Sequence, residues 1–134
     1  MVLTAFWRVY KTNMQSTYDR IYYYKIGKAQ KEAIISKLKV LLANEKEVAL
    51  AWVFGSITRR DSVRDLDLAI YSEPEMAFKD FLNLNAQIEL ELRMPVDLVE
   101  IENAPQSLKE NIFASGILIK GTKRLQEQLQ RVSV

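Results

Sequence analysis

From residue 28 onward, apolar and polar positions follow two rhythms. Ala33, Ile34, Leu38, Leu41 and Leu42 recur at helical spacing with Lys31, Glu32, Lys37 and Lys39 on the wet side, which predicts a helix from Gly27. Asn44 and Glu45-Lys46-Glu47 end it. Val48 to Phe54 (VALAWVF) is a continuous apolar run, the pattern of a strand buried on both faces. In Asp65 to Tyr71 the period is two: Leu66, Leu68 and Ile70 share one face, Asp65 and Asp67 the other. Ser72-Glu73-Pro74-Glu75 reads as a helix start, with a cap candidate and Pro in the first turn. Phe78, Phe81, Leu82, Ile88 and Leu92 continue one face as far as Arg93. Pro95 opens a third strand over 96–101. Pro105 starts a helix with Leu108, Ile112 and Phe113 inward and Gly116 at its end. Ile117 to Ile119 adds an edge strand, and 122–131 is a polar helix with Leu125, Leu129 and Val132 as its apolar stripe. The pattern predicts an α/β domain, a small mixed β-sheet with helices packed against it.

Residues 1–27 obey neither rhythm. Phe6, Trp7, Tyr10, Tyr18, Tyr22, Tyr23 and Tyr24 make this stretch aromatic, while Arg8, Lys11, Arg20 and Lys25 interrupt every apolar run. That excludes a membrane span or secretory signal here and leads us to expect a cytoplasmic protein. The tyrosines offer a stacking surface for RNA or a partner-binding patch; alternatively they pack on the core as an extra strand or helix. Met14 offers an alternative start. The expected organisation is an N-terminal aromatic extension, 1–27, and one domain, 28–134.

Composition narrows the chemistry. The 134 residues are 49% hydrophobic, enough for one small core. The net charge of +2 is mild and the basic residues are scattered, which argues against a nucleic-acid partner. With no cysteine there is no disulfide framework or thiolate metal site. With no histidine there is no histidine general base or zinc site of the usual kind. Catalysis would have to run on carboxylates and bound ions.

The stretch Gly55 to Tyr71, GSITRRDSVRDLDLAIY, carries that chemistry. Gly55 lets the strand end abruptly and lets a ligand approach the main chain. Ser56 can cap a helical turn over Ile57 to Arg60, whose N–H groups would suit a phosphate, with Arg59, Arg60 and Arg64 nearby. The Cα atoms of Asp65 and Asp67 would lie roughly 6.5–7 Å apart on one strand face. Two such carboxylates can converge on Mg²⁺, which is held by one or two carboxylates plus substrate phosphates. Asp97 alternates with Val99 and Ile101, an acid in apolar surroundings, and buried carboxylates are costly unless paired or metal-bound. It reads as a third metal ligand and proton acceptor; the alternative is a strand-edge Asp capping a loop.

Gly55-Ser56 followed by Asp65-Leu66-Asp67 resembles the signature of the DNA polymerase β nucleotidyltransferase superfamily. Pro95-Val96-Asp97-Leu98-Val99 is similar to its third-carboxylate strand. Asn103-Ala104-Pro105, a helix and Gly116-Ile117-Leu118-Ile119 resemble the ending of the prokaryotic minimal nucleotidyltransferases, so the likeness covers roughly 28–120. Arg59-Arg60 stands where the family usually has Arg-Gly, and the spacer before Asp65 is short.

The resemblance implies a Mg²⁺-dependent nucleotidyltransferase moving AMP from ATP to a hydroxyl acceptor. Gly55, Ser56 and Arg59 would bind the nucleotide, and Asp65, Asp67 and Asp97 would hold one or two ions and catalyse. It also implies a HEPN-family partner modified by this chain as an antitoxin; lacking histidine, the chain cannot itself carry the Arg-and-His ribonuclease motif of HEPN proteins. Two other readings stand beside it: a non-catalytic antitoxin module that binds its partner by contact, and a small-molecule nucleotidyltransferase working as a homodimer.

Overall fold

The computed structural model describes residues 24–25, 27–58, 62–63 and 65–133. In chain order these form β1 (Tyr24–Lys25), α1 (Lys28–Ala43), β2 (Val48–Phe54), a 3₁₀ turn (Gly55–Thr58), β3 (Ser62–Val63), β4 (Leu66–Ser72) and α2 (Phe78–Leu92). There follow β5 (Val96–Glu100), a second 3₁₀ turn (Ile101–Asn103), α3 (Gln106–Ser115), β6 (Ile117–Lys120) and α4 (Lys123–Ser133). Among the described residues, no helix is long and apolar enough to cross a membrane.

The four-stranded sheet has the order β5-β4-β2-β6. β2 pairs antiparallel with β4 and β6, and β4 pairs parallel with β5, which makes the sheet mixed, as the pattern predicts. Parallel neighbours need a crossover, and α2 supplies it between β4 and β5. β2 is buried on both faces because each face carries its own core. Val48, Ala51, Val53, Leu66, Leu68, Ile70, Val96 and Leu98 meet α1 through Leu38 and Leu42 and α2 through Phe81, Leu84 and Ile88. Leu50, Trp52, Phe54 and Ala69 meet α3 through Ile112 and α4 through Leu125 and Leu129. Strict alternation would put Val48 with Leu50, and a register shift between them moves it to the opposite face, the effect of a bulge.

The helices depart from expectation where one face meets a real neighbour. In α1, Ile35 takes the inward place expected of Ala33, which is exposed. α2 begins at Phe78, four residues beyond Pro74. Ser72 remains in β4 opposite Val48, and the Glu73 N–H donates to the Glu47 carbonyl at 2.7 Å. A residue before proline favours extended backbone, so the strand runs on to Ser72 where a helix start is expected, and the Glu73–Pro74 peptide is cis. With this later start Phe78 is 58% exposed, and Leu84 and Asn85 join Phe81 and Ile88 inside. Ile101 leaves β5 for the 3₁₀ turn but stays buried. Gly116 ends α3 at φ −68°, so no left-handed cap is formed. Glycine is needed there for space: a Cβ would lie 2.5 Å from the Ile112 carbonyl oxygen.

α4 docks on the domain through Leu125 and Leu129, while Val132 is 82% exposed. A buried amide locks it in place. Trp52 Nε1–H donates to Gln126 Oε1 at 2.8 Å, and Gln126 Nε2 donates to the Phe113 carbonyl at 3.1 Å. Phe113 also meets Trp52 edge-on, with ring centroids 5.7 Å apart. Gln126→Leu would preserve bulk and leave the indole N–H and that carbonyl without these bonds, which costs about 2–3 kcal/mol. A urea midpoint unchanged from wild type would show that the lock contributes nothing.

Candidate active site

The site lies where β2 ends and β4 and β5 begin. Phe54, the last residue of β2, stands opposite Asp67, and Gly55 turns away at φ +80°. This left-handed conformation suits glycine. A second constraint is spatial: a Cβ on residue 55 would overlap the Asp67 carboxylate, with Cγ at 2.9 Å and Cβ at 3.1 Å. The bare main chain of Gly55 and the carboxylate of Asp67 are thus packed together. The turn after Gly55 is tied down by buried Ile57 and by the Thr58 hydroxyl, which donates to the Gly55 carbonyl at 2.7 Å. The turn is 3₁₀, begins at Gly55 itself, and is closed by Thr58 where a Ser56 cap is expected.

Parallel pairing brings in the third acid. Asp67 is the register partner of Asp97, with Leu66 opposite Val96 and Leu68 opposite Leu98. Residues in register on adjacent strands point to the same face. Asp67 and Asp97, both half-buried, therefore lie side by side on the face that carries the buried Trp52 and Ala69. The start of β5 is pinned from two sides. The Val96 N–H donates to Glu89 Oε2 at 2.8 Å, and the Leu66 N–H donates to the Pro95 carbonyl at 2.9 Å. Burial raises the Glu89 pKa, opposed by the hydrogen bond from Val96. Glu89 sits on the helix before β5, and nothing in its spacing marks it as the residue that anchors this strand.

Asp65 falls in the bend ahead of β4, one residue outside the strand expected to contain it. Among the described residues, no three Asp, Glu, His or Cys side chains are gathered closely enough to hold an ion. What the fold assembles is Asp67 against Gly55 and beside Asp97. This donor set fits Mg²⁺ in kind, being hard carboxylate oxygens. Arg59, Arg60 and Arg64 lie outside the described residues, as do all the N-terminal aromatics except Tyr24, which is in β1.

Other polar features lie elsewhere. Glu100 and Glu102 sit at or beyond the carboxyl end of β5; burial raises both pKa values, and Glu75 raises them further. A surface groove of about 370 Å³ opens between Glu45 to Glu47 and the α2 residues Asp80, Asn83 and Gln87. It is at the Val48 end of β2, away from Gly55.

Known proteins share this fold. The family model described as polymerase beta, nucleotidyltransferase matches residues 36–125. No curated protein matches this chain significantly. A structure of a tri-AMPylated Shewanella oneidensis HEPN toxin in complex with MNT antitoxin aligns with TM-score 0.64 and 21% identity, over 77% of this chain and 82% of that one. A toxin–antitoxin structure with AMP-PNP gives TM-score 0.65 and 22% identity, over 74% and 82%. A structure described as a minimal nucleotidyltransferase gives TM-score 0.56 and 25% identity, over 65% and 93%. With Gly55, Asp67 and Asp97 brought to one end of a mixed sheet inside the matched region, the chain belongs to the polymerase β nucleotidyltransferase family.

Proposed function

We propose that the domain over 28–134 transfers AMP from ATP to a hydroxyl of a HEPN-type partner and acts as its antitoxin. The observation that carries this reading is the placement of Asp67 against bare Gly55 and in register with Asp97. Among its structural neighbours, one holds AMP-PNP and another an AMPylated HEPN toxin beside an MNT antitoxin. Both features suit this assignment.

In the proposed mechanism, Gly55 and Ser56 receive the β and γ phosphates, because a glycine in a tight turn lets the main-chain N–H groups approach them. Arg59 adds positive charge to the same contact. Asp65, Asp67 and Asp97 would hold Mg²⁺, which when bound neutralises the phosphate charge. Asp97 takes the proton of the acceptor hydroxyl as that oxygen bonds to the α-phosphorus and pyrophosphate leaves, a role that needs no histidine. The β4–β5 pairing keeps Asp67 and Asp97 in fixed relation, so positioning accounts for most of the rate gain.

The test is transfer of label from α-labelled ATP in the presence of Mg²⁺ and host lysate. Label on a protein band with wild type, absent with Asp65→Asn/Asp67→Asn, is the expected result. The competing reading, a module that binds its partner without catalysis, draws on Arg60 standing where the family usually has Gly. ATP binding without label on any acceptor, purified HEPN partner included, would favour it.

A further inference from the structure

We infer that the short strand β1 is a positioning element for Asp65. The inference rests on the nucleotidyl-transfer reading above. Asp65 precedes β4, so the ladder of the four-stranded sheet begins one residue too late to hold it. On its carboxyl side the chain is anchored at once, by the Leu66 N–H bond to the Pro95 carbonyl. On its amino side, the nearest regular structure among the described residues is β3, Ser62–Val63. β3 pairs antiparallel with β1, Tyr24 opposite Val63 and Lys25 opposite Ser62, and also adjoins the Gly55–Thr58 turn.

The connection between the phosphate turn and the first acid is thus stitched to a segment from the start of the chain, across the boundary expected at 27/28. β1 leads within three residues into α1, which is anchored in the core by Leu38 and Leu42. Asp65 is thereby referenced to a rigid helix as well as to β4. Fixing one residue's backbone costs about 1–2 kcal/mol of entropy. A carboxylate fixed before the ligand arrives does not exact that cost on binding. β1 and β3 form a sheet of their own, so breaking their pairing leaves every ladder of the four-stranded sheet intact.

The test compares two full-length double variants. Tyr24→Pro/Lys25→Pro removes the backbone donors that strand pairing needs, whereas Tyr24→Ala/Lys25→Ala keeps them. Each is titrated calorimetrically with ATP, with and without Mg²⁺, and unfolded in urea. Expected are wild-type behaviour for the alanine variant and about a tenfold loss of affinity for ATP with Mg²⁺ in the proline variant, the size seen when supports of metal ligands are removed. Mg²⁺-free ATP affinity and the urea midpoint should not move. Ser62→Pro breaks the ribbon from the other side and replaces the first variant if that one does not fold. Undiminished affinity for ATP with Mg²⁺ in the proline variants overturns the inference alone, as does equal loss in the alanine variant or equal loss with and without Mg²⁺. Failure of wild type to bind ATP with Mg²⁺ overturns the nucleotidyl-transfer reading, and this inference with it.

Discussion

Gly55→Ala is expected to abolish measurable binding of ATP with Mg²⁺ and to destabilise the domain by about 1–3 kcal/mol. Two independent causes act at this position. At φ +80° an L side chain meets its own backbone, and the added Cβ also overlaps the Asp67 carboxylate. Either the turn changes conformation and the phosphate contacts proposed for it are lost, or Asp67 swings away from its place beside Asp97. Both outcomes damage the site before they damage the core, because Ile57 and Phe54 can remain buried. Gly116→Ala separates the effects. Its φ is −68° and its new Cβ would crowd the Ile112 carbonyl, which lowers the urea midpoint without touching nucleotide affinity. Calorimetric titration and urea unfolding of both variants decide it, and a Gly55→Ala protein that binds ATP with Mg²⁺ like wild type would disprove the role given to this glycine.

Asp97→Asn should reduce the rate of AMP transfer by about 10²–10⁴-fold, the usual contribution of a positioned proton acceptor. The amide matches the carboxylate in size, and the alignment with Asp67 is made by backbone pairing between β4 and β5. Fold and Mg²⁺-free ATP affinity should therefore survive. Single-turnover transfer from labelled ATP separates chemistry from binding. A variant that transfers at the wild-type rate would return Asp97 to the bland alternative, an acid capping a strand edge.

Legibility of the fold followed the range of the forces involved. Burial on both faces leaves an unbroken apolar run, so β2 is readable to the residue. Alternation in the next strand separates Leu66, Leu68 and Ile70 from Asp67 in the same way. Helix faces were less legible because the pattern states which residues are apolar, and only the packing decides which of them meet a neighbour. Phe78 and Val132 are as apolar as Phe81 and Leu129, yet both are exposed, Phe78 as the first residue of α2 and Val132 in the last turn of α4. Pro74 reads as the first turn of a helix, but an X-Pro step also favours extended backbone, and α2 begins only at Phe78.

For the site, the residue types, their order along the chain and the family resemblance name Gly55, Ser56, Arg59, Asp65, Asp67 and Asp97 as candidates, of which the fold brings Gly55, Asp67 and Asp97 together. Spacing within a strand is a local property, dictated by a backbone that places alternate side chains on one face, and the sequence alone determines it. Relations between strands are not local. That Asp67 falls opposite Asp97, that its carboxylate lies against Gly55, that Glu89 ties down Val96 and that Tyr24–Lys25 reaches across to Ser62–Val63 were decided only by the tertiary structure. Each depends on the register in which distant segments pair, and register is set by how the whole domain buries its two cores.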